Sequence, residues 1–329
     1  SNALALGENF GCSLLSNNSV ACWGDNSEGQ LGNTSVGTSS EYAVMVDFPE
    51  GFKASTIDTG ARHACSIGED FTLVCWGRNT AGELGRGTFS AYEEPGFVTL
   101  PNDILVRDLA VGTSHNCIKT ITGEVYCWGA NNQGRLGTGS NPSSNVGDSE
   151  SEMGDNLVAV DFGTDIKTQQ LYISKGELNF NYYSTGTPHS CAINSDGNVR
   201  CWGIGSNGQL GTETTSTIGD SISDIGDNFI ITDIGGNAES LALGYLSTCA
   251  IREDGQVRCW GNNGFGQLAH ESTTSVGSTT DSMGNNLPAS DIWLKPKDTD
   301  DDGTIDLWDT DDDDDGSLDV DDKFVLDPC

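Results

Sequence analysis

An all-β chain built as a propeller of five repeated blades, each a four-stranded antiparallel unit, is the fold that this sequence predicts. Three observations predict it. Five cysteine pairs share one spacing of ten positions: Cys12/Cys22, Cys65/Cys75, Cys117/Cys127, Cys191/Cys201 and Cys249/Cys259. Each second cysteine runs directly into Trp-Gly, at Trp23, Trp76, Trp128, Trp202 and Trp260. A glycine stands five residues before each first cysteine, and a leucine (Leu31, Leu84, Leu136, Leu210, Leu268) eight residues after each tryptophan. A register held this tightly five times defines one repeated supersecondary unit.

The fourth repeat shows the unit most clearly. Two short apolar runs flank Ser195-Asp196-Gly197, a three-residue hairpin loop with glycine at its left-handed position. Centring that loop on Asp196 pairs Ile193 with Val199 and sets Cys191 directly opposite Cys201. Opposed residues of an antiparallel pair have Cα atoms about 4.5–5.5 Å apart, within the window of roughly 4.4–6.8 Å that a disulfide needs. Gly123 and Gly255 hold the same turn position and Asn18 substitutes acceptably. Phe71 does not, so a different turn is expected in the second repeat. Alternation puts the cysteines on one face with Ile193 and Val199, and Ala192 and Trp202 on the other. Both faces are apolar, so both must be covered, which is how a radially packed blade behaves. A lone hairpin is marginal in water, and each unit therefore leans on its neighbours. First-cysteine spacings of 53, 52, 74 and 58 residues leave room for four short strands per unit.

Composition sets the compartment. The paired cysteines predict disulfides, hence an oxidising environment and a secreted or cell-surface location. A zinc site would want Cys-x-x-Cys or histidines at ligand spacing, and neither is present. Each disulfide is expected to stabilise its blade by roughly 3 kcal/mol on the loop-entropy estimate. A net charge of −34 argues against nucleic acid or an anionic membrane as partner, since both require a basic face. No run approaches the roughly 20 apolar residues of a membrane span. Residues 1–3 read as an expression scar, residues 4–294 as the propeller and 295–329 as an acidic tail joined through Lys295-Pro296-Lys297. Cys329, the odd cysteine, is expected to be free or intermolecular, in a chain cut from something longer whose export signal precedes it.

The pattern Gly-x-x-His-x-Cys, then Asp-Gly-x-Val-x-Cys-Trp-Gly, then Gly-Gln-Leu-Gly, as it stands from Gly186 to Gly211, closely resembles the regulator-of-chromosome-condensation repeat. The resemblance covers residues 4 to about 290. It implies a β-propeller with four antiparallel strands per blade, although the family more often has seven blades and five repeats are visible here. The acidity and the disulfides set aside the nuclear exchange-factor role of the family's best-known member. Secreted bacterial propellers with these repeats, whose loops grip another protein, look like nearer analogues.

No motif nominates a catalytic centre. His63, His115 and His189 occupy one repeat position, which points to a structural hydrogen bond or packing rather than to chemistry. The tryptophans read as interblade core. Acidic steps recur after the leucines, as Val146-Gly147-Asp148 to Asp155-Asn156-Leu157, Ile218-Gly219-Asp220 to Asp227-Asn228-Phe229, and a weaker copy from Val276 to Leu287. They read as turns held by side-chain to backbone bonds, with calcium sites as the alternative. About fifteen extra residues precede Cys191, and Tyr172, Phe180, Tyr182 and Tyr183 in that insertion are candidate partner anchors. An added hairpin would explain them equally well.

From Asp298 the composition changes abruptly. Asp298, Asp300, Asp302, Asp306 and Asp309 stand at positions 1, 3, 5, 9 and 12 of a loop with Gly303 at position 6. Asp311, Asp313, Asp315, Asp319 and Asp322 repeat the spacing around Gly316. This is the calcium-loop spacing of an EF-hand, in which position 7, here Thr304 or Ser317, contributes its carbonyl. With aspartate at position 12 and no helix-length flank, the tail resembles thrombospondin type 3 repeats. Calcium is therefore the expected cofactor. The expected function is a non-enzymatic binding module for a protein or glycan partner, with the tail as a spacer. An extracellular hydrolase or lyase with carboxylates in the propeller channel, and a purely structural surface element, are the alternatives.

Overall fold

The computed structural model describes residues 3–139, 144–175 and 189–290. The chain divides into a unit spanning residues 1–290 and a second spanning 291–329. The whole acidic tail, with its calcium-loop aspartates and Cys329, lies outside the described residues. So do Phe180, Tyr182 and Tyr183.

Five antiparallel sheets follow one another along the first unit. Blade one runs Ala3–Leu6, Phe10–Leu14, Val20–Asp25 and Ser39–Met45, and blade two runs Asp58–Thr59, His63–Ile67, Leu73–Arg78 and Tyr92–Phe97. Blades three, four and five begin with Val106–Val111, Thr168–Ile173 and Ala238–Leu243 and keep the central hairpin. Their fourth strand is reduced to two isolated bridges, for example Gly129 with Val146 and Tyr126 with Ala159 in blade three. The reason lies in the intervening sequence: short 3-10 turns such as Glu150–Glu152 and Gly154–Asn156 interrupt the strand between its two bridges. The first strand of each blade contacts the first strand of the next, so these strands form the inner lining.

The hairpin register is the predicted one. Cys12 faces Cys22, Cys65 faces Cys75, Cys117 faces Cys127, Cys191 faces Cys201 and Cys249 faces Cys259. All five pairs are joined as disulfides, each inside its own blade. Cys22, Cys127 and Cys259 lie on the third strands and are buried, as are their partners Cys12 and Cys117, while Cys249 is partly exposed. Burial elsewhere follows the alternation. Cys191, Ile193, Val199 and Cys201 share a buried face, while Ala192 and Trp202 are buried on the other.

Three expectations are corrected. The first concerns how closely the cysteines approach. Their Cα atoms are 4.0–4.1 Å apart in Cys12–Cys22, Cys65–Cys75, Cys117–Cys127, Cys191–Cys201 and Cys249–Cys259 alike, below the span expected from strand pairing. The ladder supplies the reason. The Asn194 amide donates to the Asn198 carbonyl at the loop end of the hairpin. Hydrogen-bonded and non-hydrogen-bonded pairs alternate from there, which makes Cys191–Cys201 a non-hydrogen-bonded pair, the closer of the two kinds.

The second correction is that Phe71 does not force a different turn: it takes the left-handed conformation itself, at φ 66°. Its amide donates to the Gly68 carbonyl at 3.0 Å, as Gly197 donates to Asn194 at 2.9 Å. The turn is held around it by Asp70, whose Oδ1 accepts from the Thr72 amide and hydroxyl, and by Val106, whose amide donates to the Phe71 carbonyl. Third, Tyr172 is not part of an inserted loop. It belongs to the inner strand Thr168–Ile173, opposite Cys191, so the insertion begins only after that strand.

Phe71 occupies a conformation that costs an L-residue about 1 kcal/mol or more. The substitution Phe71→Gly is therefore expected to raise stability by about 0.5–1 kcal/mol despite the added freedom of the unfolded chain. Denaturant unfolding checks it; a loss of about 1 kcal/mol or more would show that the partly exposed phenyl ring contributes packing that outweighs the strain.

Candidate binding surface

The blades are joined by one repeated contact. Trp76, Trp128, Trp202 and Trp260 are all fully buried. Each indole N–H donates to a backbone carbonyl of the preceding blade: Gln30, Glu83, Arg135 and Gln209, at 2.9–3.0 Å. The acceptor is always the residue before the repeat leucine, and the residue after that leucine explains the glycine there. Gly32, Gly85, Gly137 and Gly211 have φ between 60° and 68°, and a Cβ on any of them would come within 2.7–2.9 Å of the incoming indole. The asparagine of Trp-Gly-x-Asn holds the loop that presents the acceptor. Asn26, Asn79 and Asn263 each accept from the leucine amide at 2.9–3.0 Å.

The recurring histidines belong to the same joints. His63 Nε2 is 2.8 Å from Asn116 Oδ1 in the next blade, and His189 Nε2 is 2.7 Å from Thr248 Oγ1. Asn116 and Thr248 in turn donate to the Glu83 and Gln209 carbonyls that accept the tryptophans. At the third joint Ser190 occupies the place of Asn116 and Thr248. Its hydroxyl and both His115 nitrogens find no hydrogen-bond partner among the described residues. Burial pushes His63 down to about 4 and His189 down to about 3, and holds His115 well below the ordinary histidine value. A neutral ring buried between blades is a structural group, as its threefold recurrence predicts.

Two carboxyls are displaced upward. Burial raises Glu83 to about 7, and burial followed by the neighbouring Asp224 raises Asp220. Neither stands on an inner strand. There, Asp58 faces Lys175 at 3.2 Å and Asp108 pairs with Lys119. The Gly-Asp-Asn steps are short 3-10 turns, but their aspartate side chains reach outward to other segments rather than onto the backbone of the turn. Asp155 accepts from the Asn102 amide at 2.9 Å and Asp227 from the Thr164 amide at 2.6 Å, each pinning a linker between blades.

Topology decides which segments emerge together. In an antiparallel blade the loop between strands one and two and the loop between strands three and four lie at the same end. Backbone bonds tie them there: Asp25 to Asn9, Arg78 to Arg62 and Asn262 to Leu246. This face carries the described parts of the length-variable segments after the leucines, and residues 174–175 lead away from the inner strand of blade four at the same end. A charged belt also crosses it between blades one and two, with Arg62 on Glu8 at 2.9 Å and on Glu28 at 2.6 Å. Large rings are exposed after the repeat leucines: Phe89 (71% exposed) and Phe265 (96%) in the loops between strands three and four, and Tyr42 (79%) and Tyr92 (54%) on the fourth strands Ser39–Met45 and Tyr92–Phe97. The residue pattern had not singled them out. They lie in the length-variable segments, and an aromatic residue in a turn-rich segment was the signal available. Tyr172, by contrast, is half-buried against the core of blades four and five, its hydroxyl directed to Gln170.

The fold and its joints define a disulfide-stapled β-propeller of repeated blades. The regulator of chromosome condensation (RCC1) repeat matches residues 2–30, 72–152, 184–209 and 239–267, about half of the chain, and the chain belongs to that family. It is 26% identical to the ultraviolet-B receptor UVR8 of Arabidopsis thaliana over 81% of this chain and 54% of the relative. It is 28% identical to the mitochondrial RCC1 domain-containing protein RUG3 of the same plant, over 79% of this chain and 53% of the relative. The chain thus spans about half the length of these relatives. Among solved structures, Prp20p of Saccharomyces cerevisiae superposes with a TM-score of 0.62 over 90% of this chain and 66% of its own, at 18% identity. Human WBSCR16 superposes equally well, at a TM-score of 0.62, over 79% of this chain and 62% of its own, at 21% identity.

A group whose folded pKa is depressed takes up its proton in the unfolded chain first, so it costs stability as pH falls below the unfolded value near 6.5. For His189 that window runs from about 6.5 down to about 3. Relative to a His189→Gln variant, the wild type is expected to lose about 2 kcal/mol between pH 7 and pH 5. Parallel unfolding curves at the two pH values read this directly; an unchanged difference would mean that the imidazole gains a proton partner in solution.

Proposed function

We propose that this chain is an extracellular, non-enzymatic binding module. In this reading a rigid propeller holds the loops of one face against a protein partner, and residues 298–322 form a calcium-stabilised spacer. The observation that carries the reading is the set of five local disulfides, nine of whose ten sulfurs belong to buried residues. Such bonds persist only in oxidising compartments. They also make each blade rigid before it meets its neighbours, which suits a surface that must present loops in fixed positions.

Protein recognition is supported by the company this fold keeps. Yeast RCC1 (Prp20) has been solved bound to Kap60, and Prp20p is described with binding to Gsp1p and histones. Those partners are theirs; what is proposed for this chain is the mode, a propeller that grips a protein. A non-enzymatic role agrees with two of the three inner-strand carboxylates of the described residues, Asp58 and Asp108, being engaged by lysines, while the third, Glu239, stands exposed. Partner contact is assigned to Tyr42, Phe89, Tyr92 and Phe265, with Phe180, Tyr182 and Tyr183 of the insertion as further anchors. Exposed aromatic rings are the residue types that anchor interfaces.

Two measurements test this. Alanine substitution of Phe89 or Phe265 is expected to weaken capture of a partner from the extracellular fraction by about tenfold or more while the melting temperature stays within about a degree. Unchanged capture by both variants moves the site off this face, and retention on a glycan array with no protein captured replaces the partner class. For the tail, calorimetry is expected to show calcium binding at or below millimolar concentration, lost when Asp300, Asp302, Asp313 and Asp315 are replaced by asparagine. No binding at that concentration removes the spacer from the proposal and leaves the propeller reading intact.

A further inference from the structure

The joint that recurs four times is absent between blade five and blade one among the described residues, and the two unmatched faces differ in a way that decides what each accepts. Blade one presents the face on which every later blade carries its buried tryptophan. Here Leu4 and Leu6 are 62% and 59% exposed. Trp23 is partly exposed and lies over Gly11, where a Cβ would come within 2.8 Å of the ring. Its four counterparts each donate an indole N–H to a neighbouring blade, whereas Trp23 makes no such bond among the described residues. Blade five presents the opposite face. Ile251 is 43% exposed there and Cys249 is partly exposed, whereas Ile193 and Cys191 at the same positions of blade four are buried. The Gln267 carbonyl stands where Gln30, Glu83, Arg135 and Gln209 receive an indole, and receives none from the described residues.

The fifth latch has changed. Its sequence is Gln267-Leu268-Ala269, with alanine where the other four repeats have glycine. Ala269 keeps the left-handed conformation, at φ 54°, so its Cβ points where a Cβ on Gly32, Gly85, Gly137 or Gly211 would meet the next tryptophan at 2.7–2.9 Å. Contacts this short to a buried ring require the ring or the backbone to move. Alanine in this conformation carries a steric cost that glycine does not, so nothing in the local turn favours it over glycine.

We propose that the stack is directional at its ends: the blade-one face of Leu4, Leu6 and Trp23 receives a further blade of the same repeat class with glycine in its latch, whereas Ala269 closes blade five to any blade led by a tryptophan. The occupant follows from continuity with the four joints already made, which show what buries such a tryptophan: a Leu-Gly latch and a carbonyl acceptor. A second copy of this chain does not qualify, because the only latch it has to spare carries Ala269. Blade five then acts as a terminal cap, the role that end units of stacked repeats commonly take.

The test adds a blade. A second copy of residues 53–104, all of blade two with its Gly85 latch, is fused directly ahead of residue 3. A parallel chain carries Gly85→Ala in the added copy, and closure of the added Cys65–Cys75 disulfide verifies in both that the extra blade folds. The glycine latch is expected to slow hydrogen exchange of the Trp23 indole N–H by about tenfold or more and to raise the melting temperature; the alanine latch is expected to do neither. Equal exchange in the two chains overturns the blade-one assignment. The same copy inserted after Ser290 is expected to protect its own leading tryptophan only when Ala269→Gly is also present, and protection with Ala269 in place overturns the cap. Head-to-tail association of the wild-type chain that is abolished by Trp23→Ala would likewise overturn the proposal, since the second copy would then be the partner.

Discussion

The hydrogen bond from a buried indole to the carbonyl before the repeat leucine organises this molecule. A single blade cannot hide both faces of its hairpin, and the tryptophan is the largest side chain it must bury. Each joint solves two problems at one point. The ring removes its apolar surface from water, and its N–H, which would otherwise be a buried, unpaired donor, finds a carbonyl acceptor. Truncating such a ring typically costs about 3–5 kcal/mol, a large part of the stability available to one blade. Glycine at the latch is the geometric condition for this bond, which ties a backbone choice in one repeat to a side chain in the next.

Around that bond lies a second layer of constraint. The carbonyls of Glu83 and Gln209 accept a further donor from Asn116 and Thr248, which also meet the buried histidines. Buried polar networks of this kind specify one arrangement because any shift leaves several groups unpaired at once. The third joint shows what happens when one member is short. Among the described residues Ser190 leaves itself and His115 without hydrogen-bond partners, although Trp202 keeps its bond to Arg135 at 3.0 Å. The indole bond is thus the invariant part of the joint and the histidine layer the adjustable one.

The disulfides act on a different level. Each closes within a hairpin and none crosses a joint, so they limit the unfolded freedom of single blades and leave assembly to the tryptophans. The chain places the two devices side by side: Cys75, Cys127, Cys201 and Cys259 each staple a blade, and the tryptophan that follows each one fastens it to the blade before. Cys22 staples blade one in the same way, but Trp23 beside it has no joint to enter among the described residues. With the frame carried by hairpins and joints, the segments between strands three and four are free to vary. Their lengths differ from blade to blade, and they bear the exposed rings of Phe89 and Phe265.

What the sequence by itself determined is what repeats at fixed spacing. The five units, the cysteine pairing, the two buried faces of each hairpin and the structural role of the histidines were all legible, because each depends on neighbours ten residues away or on a pattern stated several times over. The inner strands were not. Leu4-Ala5-Leu6, Leu109-Ala110-Val111, Leu171-Tyr172-Ile173 and Leu241-Ala242-Leu243 share a short leucine step, but blade two has Ile57-Asp58-Thr59 in its place and the insertion parts Tyr172 from Cys191, so a three-residue step did not mark the strand. Phe71 likewise looked incompatible with a turn that Asp70, Thr72 and Val106 hold around it. The tertiary structure alone showed that four joints form among the described residues. Whether Trp23 is covered depends on which blade stands beside it, and the meaning of Ala269 appears only when its Cβ is placed against the indole that glycine admits elsewhere.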